Sequence, residues 1–466
     1  MPKQQTAFVE NAFERALELI RARVCASTPA GQMTSFAIAH SGGLDSTALL
    51  HIAYAYAKKH RLSLFAFHVH HGISPNADAW LEHCKAECTR LDIRFCSKHI
   101  SLTGCVAGGV EQAARIWRYA ALGDLCRSHQ VPLLLTAHHR DDQVETVFLQ
   151  LLRGSGVAGL SGMENANTAP DLLGDPSLIL GRPLLDVSRA DLEDFVERRA
   201  SAYVEDESNL DVRYARNALR RNVMPSLSTY FPGFQERVAR TAHHAQSAQR
   251  LLDEFATQDL ASCLDGDGVD ITRLRTLSPD RVHNLLRYWF SLRGMRMPST
   301  AWLQEMCEQL LTAREDARVR VTHADCEVRR HRDRVFLTPR VAETSLGIGP
   351  ISFRWCGEAQ LHFPLYGGSL YFDEVEEGVD SSWLRGRELL LRHRAGGEKL
   401  KSAPNRHTRS LKHHYQALGI PAWERQQLPV LISDGRLLFA AGVGMNWHDF
   451  PTKRGEGISL RWKKKS

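Results

Sequence analysis

No apolar run in this 466-residue chain is long enough to cross a membrane. The stretch MPKQQTAFVENAFERAL carries acids and lacks an apolar signal core, so a secretory leader is not expected either. Phe8, Phe13, Leu17 and Ile20 fall instead on one face of an amphipathic helix. The ten cysteines form no Cys-x-x-Cys pair, which suits a reducing cytoplasm and leaves no paired thiols for a cysteine-bound cluster. Cys84 and Cys88 share a helix face and read as buried packing. Gly-x-x-x-x-Gly-Lys-Ser/Thr is also missing, so no lysine of that motif reaches a terminal phosphate. Internal repeats and low-complexity segments are absent. With 43% hydrophobic and 24% charged residues the composition is that of an ordinary globular chain, and the length asks for two or three domains.

What is present begins with FAIAHSGGLDSTALL, Phe36–Leu50. A short buried strand, Phe36–Ala39, runs into Ser41-Gly42-Gly43, and a helical pattern follows Asp45-Ser46. Paired glycines let backbone approach a ligand closely, and the helix start offers unpaired N–H groups and positive dipole. Ser41 and Ser46 add hydroxyls. This is a phosphate cradle with an acid inside it, and Asp45 needs a cation to coexist with phosphate. Any strand–glycine–helix turn has something of the same form.

Further strands are expected at Ser63–Val69, Arg94–Ile100, Leu133–Ala137 and Leu178–Leu180, with helices between them at Ala48–Lys59, Ala77–Leu91 and Gln112–Arg127. Such alternation predicts an α/β fold, a doubly wound parallel sheet whose ligands bind beyond the carboxyl ends of the strands. The expected domains are 1–222, the nucleotide-binding part; 223–340, mostly helical; and 351–466, small, basic and α+β. In the second, helices are expected at Phe234–Leu264, Pro279–Leu292 and Thr300–Leu311, and short strands at Arg318–Val321 and Val335–Thr338. Thr338–Pro350 reads as a linker, and one helix is expected near Arg409–Leu418. Residues 401–466 hold 12 Lys and Arg against four Asp and Glu, whereas the rest of the chain nearly balances. A basic region on a near-neutral body predicts a polyanionic partner.

Asp141, Asp142 and Glu145 form a compact acid group at a helix start. Carboxylates so placed can hold a divalent cation on phosphate oxygens or bind a cationic amine. A plainer reading is a capping box from Asp142 to Glu145. His138 and His139 follow the fourth strand, and Arg115 shares a helix with Trp117 and Tyr119.

SGGLDS resembles the pyrophosphate-binding loop of the PP-loop, or N-type, adenylating ATP pyrophosphatases. TAHHRDDQVETVFLQLLRGSGVAGLSGM, Thr136–Met163, resembles the second signature of one subfamily, the bacterial tRNA(Ile)-lysidine synthetases. GVEQAARIWRY at Gly109–Tyr119, RPLLDVSRADLEDF at Arg182–Phe195, VEDESN at Val204–Asn209 and RYARNALR at Arg213–Arg220 also match. So does the C-terminal block RHRAGGEKLK…HTRSLKHHYQALGIPAWERQQLPVL. Departures are His70, Glu207 and Ala218.

The resemblance implies ATP-dependent joining of free L-lysine to the wobble cytidine of a CAU-anticodon isoleucine tRNA through an adenylated cytidine, with release of AMP and pyrophosphate. It implies nucleotide binding by Ser41, Gly42, Gly43, Leu44, Asp45, Ser46 and His138, and catalysis by Asp45, Arg115, Asp141, Asp142 and Glu145. Mg2+ falls to Asp45 and Asp142, and tRNA to Arg216, Asn217, Arg220, Arg406, Arg409 and Lys412, with the 223–340 and 351–466 domains both expected to bind tRNA. Arg216, Asn217 and Arg220 are equally suited to pairing with Asp206 and Glu207. The expected location is the cytoplasm, with no membrane, and a homodimer is kept open. The alternatives are a PP-loop tRNA thiolase, a small-molecule amide synthetase and a non-enzymatic RNA-binding module.

Overall fold

Side-chain alternation along the first strands builds a sheet with an apolar core on each face. The computed structural model describes the chain except residues 1, 28–31, 73, 101–109, 206–212, 214, 315–318, 340–348, 404, 448–449 and 465–466. Asp206, Glu207 and most of the expected linker lie outside the described residues. The chain folds as two units, residues 1–254 and 255–466.

The first unit runs α1 (Pro2–Ser27), β1 (Ser35–Ala39), α2 (Leu44–His60), β2 (Ser63–His70), α3 (Ala77–Arg90), β3 (Arg94–His99), α4 (Val110–Ser128), β4 (Leu133–Leu135) and α5 (Arg140–Leu152). It continues through α6 (Val157–Leu160), β5 (Ala166–Thr168), α7 (Pro170–Leu173), β6 (Ile179–Gly181) and α8 (Arg189–Arg198). The six strands lie in the order β3-β2-β1-β4-β6-β5, parallel except that β5 runs antiparallel to β6.

Successive residues of a strand face opposite sides. Phe36, Ile38, Leu64, Ala66, Leu133 and Leu135 accordingly enter one core, with Phe13 and Leu17 of α1, Leu49 and Ile52 of α2 and Leu192 and Phe195 of α8. Ala37, Phe65, Phe67 and Leu134 enter the other, with Tyr119 and Leu122 of α4 and Leu173 of α7. Each fully buried Leu or Phe contributes on the order of 1.5–3 kcal/mol, so the two-sided pattern commits these strands to the interior. β1 and β4 are neighbours, with β2 and β3 laid down on one side and β6 on the other. The strand order reverses between them, and a crevice opens beyond their carboxyl ends.

In the second unit, strands Leu264–Asp265, Gly268–Asp270, Arg334–Pro339, Cys326–His331 and Arg320–Thr322 form a five-stranded sheet in that order. Helices Pro279–Leu292 and Thr300–Thr312 cover it through Leu285, Trp289, Phe290 and Met306. The sequence pattern missed Cys326–His331, a strand whose apolar alternation is masked by Glu327, Arg329, Arg330 and His331. A separate five-stranded sheet orders Ile351–Phe353, Leu389–His393, Pro429–Ser433, Arg436–Ala440 and Gly444–Met445. Gly368–Asp380 pairs with Thr452–Lys464 in a long antiparallel ribbon. The expected basic helix forms at Leu411–Ala417, where the Ser410 hydroxyl caps His413 N at 3.3 Å. No helix among the described residues is long and apolar enough to cross a membrane.

Candidate active site

The loop after β1 and the loop after β4 meet at the crevice. Gly42 takes φ +86°, a left-handed conformation that favours glycine, and Gly43 caps α2. A Cβ on Gly42 would stand 2.9 Å from Cys84 Sγ and 3.1 Å from Val204 Cγ2, so space as well as backbone demands glycine. The Ser46 hydroxyl donates to Gly43 O at 2.9 Å, accepts from Ser41 N at 3.3 Å and lies 3.1 Å from Ser41 Oγ. Val204 N donates to Gly42 O at 2.9 Å from the opposite side. Leu44 is buried in the core, so what it can offer a ligand is backbone.

His139 is the residue that sequence reasoning undervalued. It caps α5 and is 1% exposed. Its Nε2 lies 3.6 Å from Asp45 Oδ2 and 3.3 Å from Asp142 Oδ2, and its Nδ1 lies 3.7 Å from Asp141 Oδ2. Burial alone would depress its pKa, but Asp142, Asp45 and Asp141 outweigh burial and raise it. The signal was in HHRDD: a histidine two and three residues before paired acids sits at the cap of their helix.

The expected capping box from Asp142 to Glu145 is corrected by the structure. The N-cap is His139, and Asp142 is the third helical residue, accepting from His139 N at 3.1 Å. Burial favours a neutral Asp142, yet His139, His138 and Arg216 hold its pKa down at about 2. The three acids then divide. Asp141 Oδ2 accepts from Arg189 N at 2.9 Å, at the start of α8. Asp142 faces His139. Glu145, 1% exposed, is clamped by two arginines: Arg216 Nε at 2.7 Å from Oε2, and Arg220 Nε and Nη2 at 2.6 Å from Oε1 and 3.1 Å from Oε2. Arg220 Nη2 also reaches Asp142 Oδ1 at 3.2 Å. Arg216 and Asn217 stand on α9 (Ala215–Ala218), and Arg220 on a five-residue π-helical turn, Leu219–Val223, a geometry often found at functional sites. The guanidiniums of Arg216 and Arg220 thus lie on the acid group.

His138 Nδ1 is 2.8 Å from Thr136 Oγ1. Burial and the nearby cations Arg182, Arg216 and Arg115 push its pKa down to about 3 against the pull of Asp142, which leaves a neutral imidazole. Arg115, half-buried, has its guanidinium 4.9 Å from the Tyr119 ring centroid. Arg182, buried and absent from the sequence expectations, donates to Glu164 O at 2.9 Å and Asn167 Oδ1 at 2.7 Å. An open cavity of about 180 Å³ adjoins the clamp, lined by Asp141, Glu145, Arg189 and Arg220 and by Met224, Pro225, Ser228 and Gln235.

Asp45 and Asp142 converge on one point, and Asp45 Oδ1 is buried without a hydrogen-bond partner among the described residues. Mg2+ typically takes one or two carboxylates and fills its shell with water and phosphate oxygens, so this pair fits such an ion. Among the described residues no set of three or more His, Cys, Asp or Glu forms an all-protein metal cage. Arg406, Arg409 and Lys412 are exposed in the second unit, with Arg409 Nη1 against His413 Nε2.

A glycine-bent loop with an internal acid, at the switch point of a doubly wound sheet, defines a PP-loop nucleotide-binding domain. The family model described as PP-loop domain matches residues 13–227; those described as TilS substrate binding domain and TilS substrate C-terminal domain match 270–336 and 389–462. The chain is 38% identical over 463 residues to the tRNA(Ile)-lysidine synthase of Burkholderia pseudomallei, covering 92% of this chain and 93% of that one. It is 39% identical over 429 residues to that of Ralstonia nicotianae (89% and 90% covered) and 36% over 430 to that of Serratia proteamaculans (92% and 95%). The chain belongs to the tRNA(Ile)-lysidine synthase family.

Proposed function

We infer that this protein is an ATP-dependent ligase that forms lysidine on isoleucine tRNA. The observation that carries the reading is the meeting of Asp45, from the phosphate loop, with Asp142 at His139. The proposed substrates are ATP, free L-lysine and the CAU-anticodon tRNA, with Mg2+ as cofactor and the cytoplasm as location. A homodimer is part of the proposal only as an expectation that sedimentation tests.

In this reading O2 of the wobble cytidine attacks the α-phosphorus and pyrophosphate leaves. The lysine ε-amine then attacks C2, loses a proton and expels AMP. Adenylation matters because a pyrimidine carbonyl oxygen is otherwise a very poor leaving group. Backbone N–H groups of Gly42–Ser46 and the α2 N-terminus hold the pyrophosphate oxygens, with the Ser41 hydroxyl beside them. Asp45 and Asp142 would hold Mg2+, which when bound would offset phosphate charge. Arg115 neutralises charge developing on the α-phosphate, and neutral His138 adds a hydrogen bond without adding charge. The cavity walled by Asp141, Glu145, Arg189 and Arg220 offers both signs of charge, as a zwitterion with a cationic tail requires. Arg216, Asn217 and Arg220 border that site, whereas Arg406, Arg409 and Lys412 contact tRNA phosphate.

The thiolase alternative needs a reactive thiolate. Burial pushes Cys84, Cys88 and Cys126 up to about 12, and Cys307 and Cys326 up to about 11, which makes these thiols poor nucleophiles. The deciding experiment incubates the protein with labelled lysine, isoleucine tRNA and ATP. One AMP and one pyrophosphate should appear per lysine joined; ADP and phosphate instead would overturn the reading.

A further inference from the structure

Behind the phosphate loop lies a buried polar cluster to which the reaction above gives no part. Glu87 of α3 is 7% exposed. Its Oε1 lies 3.0 Å from His51 Nε2 of α2 and 3.8 Å from Arg90 Nη2. Its Oε2 lies 3.7 Å from His40 Nε2, in the residue that precedes the loop, and 3.9 Å from His83 Nε2. His51 Nε2 is also 2.9 Å from Ser201 Oγ. Three residues beyond Ser201, Val204 N donates to Gly42 O. On the α3 side, Cys84, one turn before Glu87, fills the space a Gly42 Cβ would need.

We propose that Glu87 is a positioning residue for the phosphate loop, acting through His51 and Ser201 on the 201–204 segment that fixes the Gly42 carbonyl. The loop is held from two sides, by α3 through Cys84 and by the 201–204 segment through Val204. Glu87 ties those two walls together. One imidazole nitrogen carries one proton, and an anionic carboxylate is a stronger acceptor than a hydroxyl. His51 Nε2–H therefore donates to Glu87, and this fixes which way the ring faces Ser201. Ser201 Oγ, 2.9 Å away, shares that proton as a second acceptor; without the carboxylate charge the N–H is no longer aimed at both, and the register of the segment is no longer pinned. A loop free to flatten loses the aligned N–H groups that bind pyrophosphate. The inference rests on the ATP-using role assigned to that loop.

The test is steady-state pyrophosphate release by the full chain with isoleucine tRNA and lysine. Glu87→Gln keeps the shape and removes the charge. Its expected effect is a rise of about tenfold in the KM for ATP, with kcat within about twofold and the KM for lysine unchanged. Ser201→Ala, a mild change should Glu87→Gln fold poorly, should raise the KM for ATP about threefold at unaltered Tm. The double variant should be no worse than Glu87→Gln alone, because both act on one connection. An unchanged KM for ATP in folded Glu87→Gln or Ser201→Ala, or fully additive effects, overturns the proposal while leaving the function intact. Wild-type protein that releases no pyrophosphate brings down both.

Discussion

Asp45 and Asp142 reach the same imidazole nitrogen from the first turns of α2 and α5, almost a hundred residues apart: their Oδ2 atoms lie 3.6 Å and 3.3 Å from His139 Nε2. The buried His139, its pKa raised by Asp142 and Asp45 against burial, stands between two acids at the point where Mg2+ and phosphate are proposed to sit. Loop and acid helix thereby form one site.

Asp45→Ala should abolish adenylation and leave the fold intact, since Asp45 is a partly exposed crevice residue that carries no apolar packing. Pyrophosphate release and thermal unfolding measured on the same preparation check this. Near wild-type release would remove Asp45 from the chemistry.

Gly42→Ala should weaken ATP binding strongly and cost roughly 1–2 kcal/mol from the left-handed backbone alone. Contact with Cys84 Sγ at 2.9 Å adds to it. Adding Cys84→Ala should return part of the stability, because it relieves the contact but not the φ of +86°. Denaturant unfolding of the single and double variants gives the comparison.

Arg220→Ala should destabilise the first unit by about 1–3 kcal/mol. It strips a hydrogen-bonded charge from a carboxylate that is 1% exposed, while Arg216 remains. Glu145→Gln, which leaves two arginines facing a neutral amide, should lose activity by a larger factor than stability. Urea unfolding and lysidine formation together decide.

His40 yields a pH prediction. Burial lowers its pKa from the usual 6.5 to about 4. Between those values the unfolded chain binds a proton that the folded chain refuses, so stability falls as pH drops through this window. Glu87, whose pKa its histidine neighbours hold down against burial, adds loss in the same direction at lower pH. His40→Gln should flatten the slope between about pH 6.5 and 4 by up to ~1.4 kcal/mol per pH unit. Unfolding free energies across that range measure it; an unchanged slope would show that His40 does not titrate as its burial demands.

Replacing Arg406, Arg409 and Lys412 together by alanine should weaken tRNA binding and make its salt dependence shallower, with ATP affinity scarcely changed. All three are exposed, so little stability is at stake. Affinities at several salt concentrations give the slope. Identical slopes would return the basic excess of residues 401–466 to a solvated surface.

Local pattern was enough for much of this molecule. SGGLDS and HHRDD each sit beside a short apolar run, and β1 at Ser35–Ala39 and the helix Pro279–Leu292 fall where the residue pattern puts them. Periodicity and glycine placement act over a few residues, so the chain states them directly. It also states by motif which family the loop belongs to. Partners far apart in sequence were a different matter. That Arg216 and Arg220, more than 70 residues downstream, clamp Glu145 was not legible, nor was the pairing of Gly368–Asp380 with Thr452–Lys464. Only the sheet order, which sets β1 beside β4, brings Asp45 and Asp142 to one histidine. A carboxylate's role depends on which charges and how much water surround it. Those are fixed by packing across the fold, and no single segment contains them.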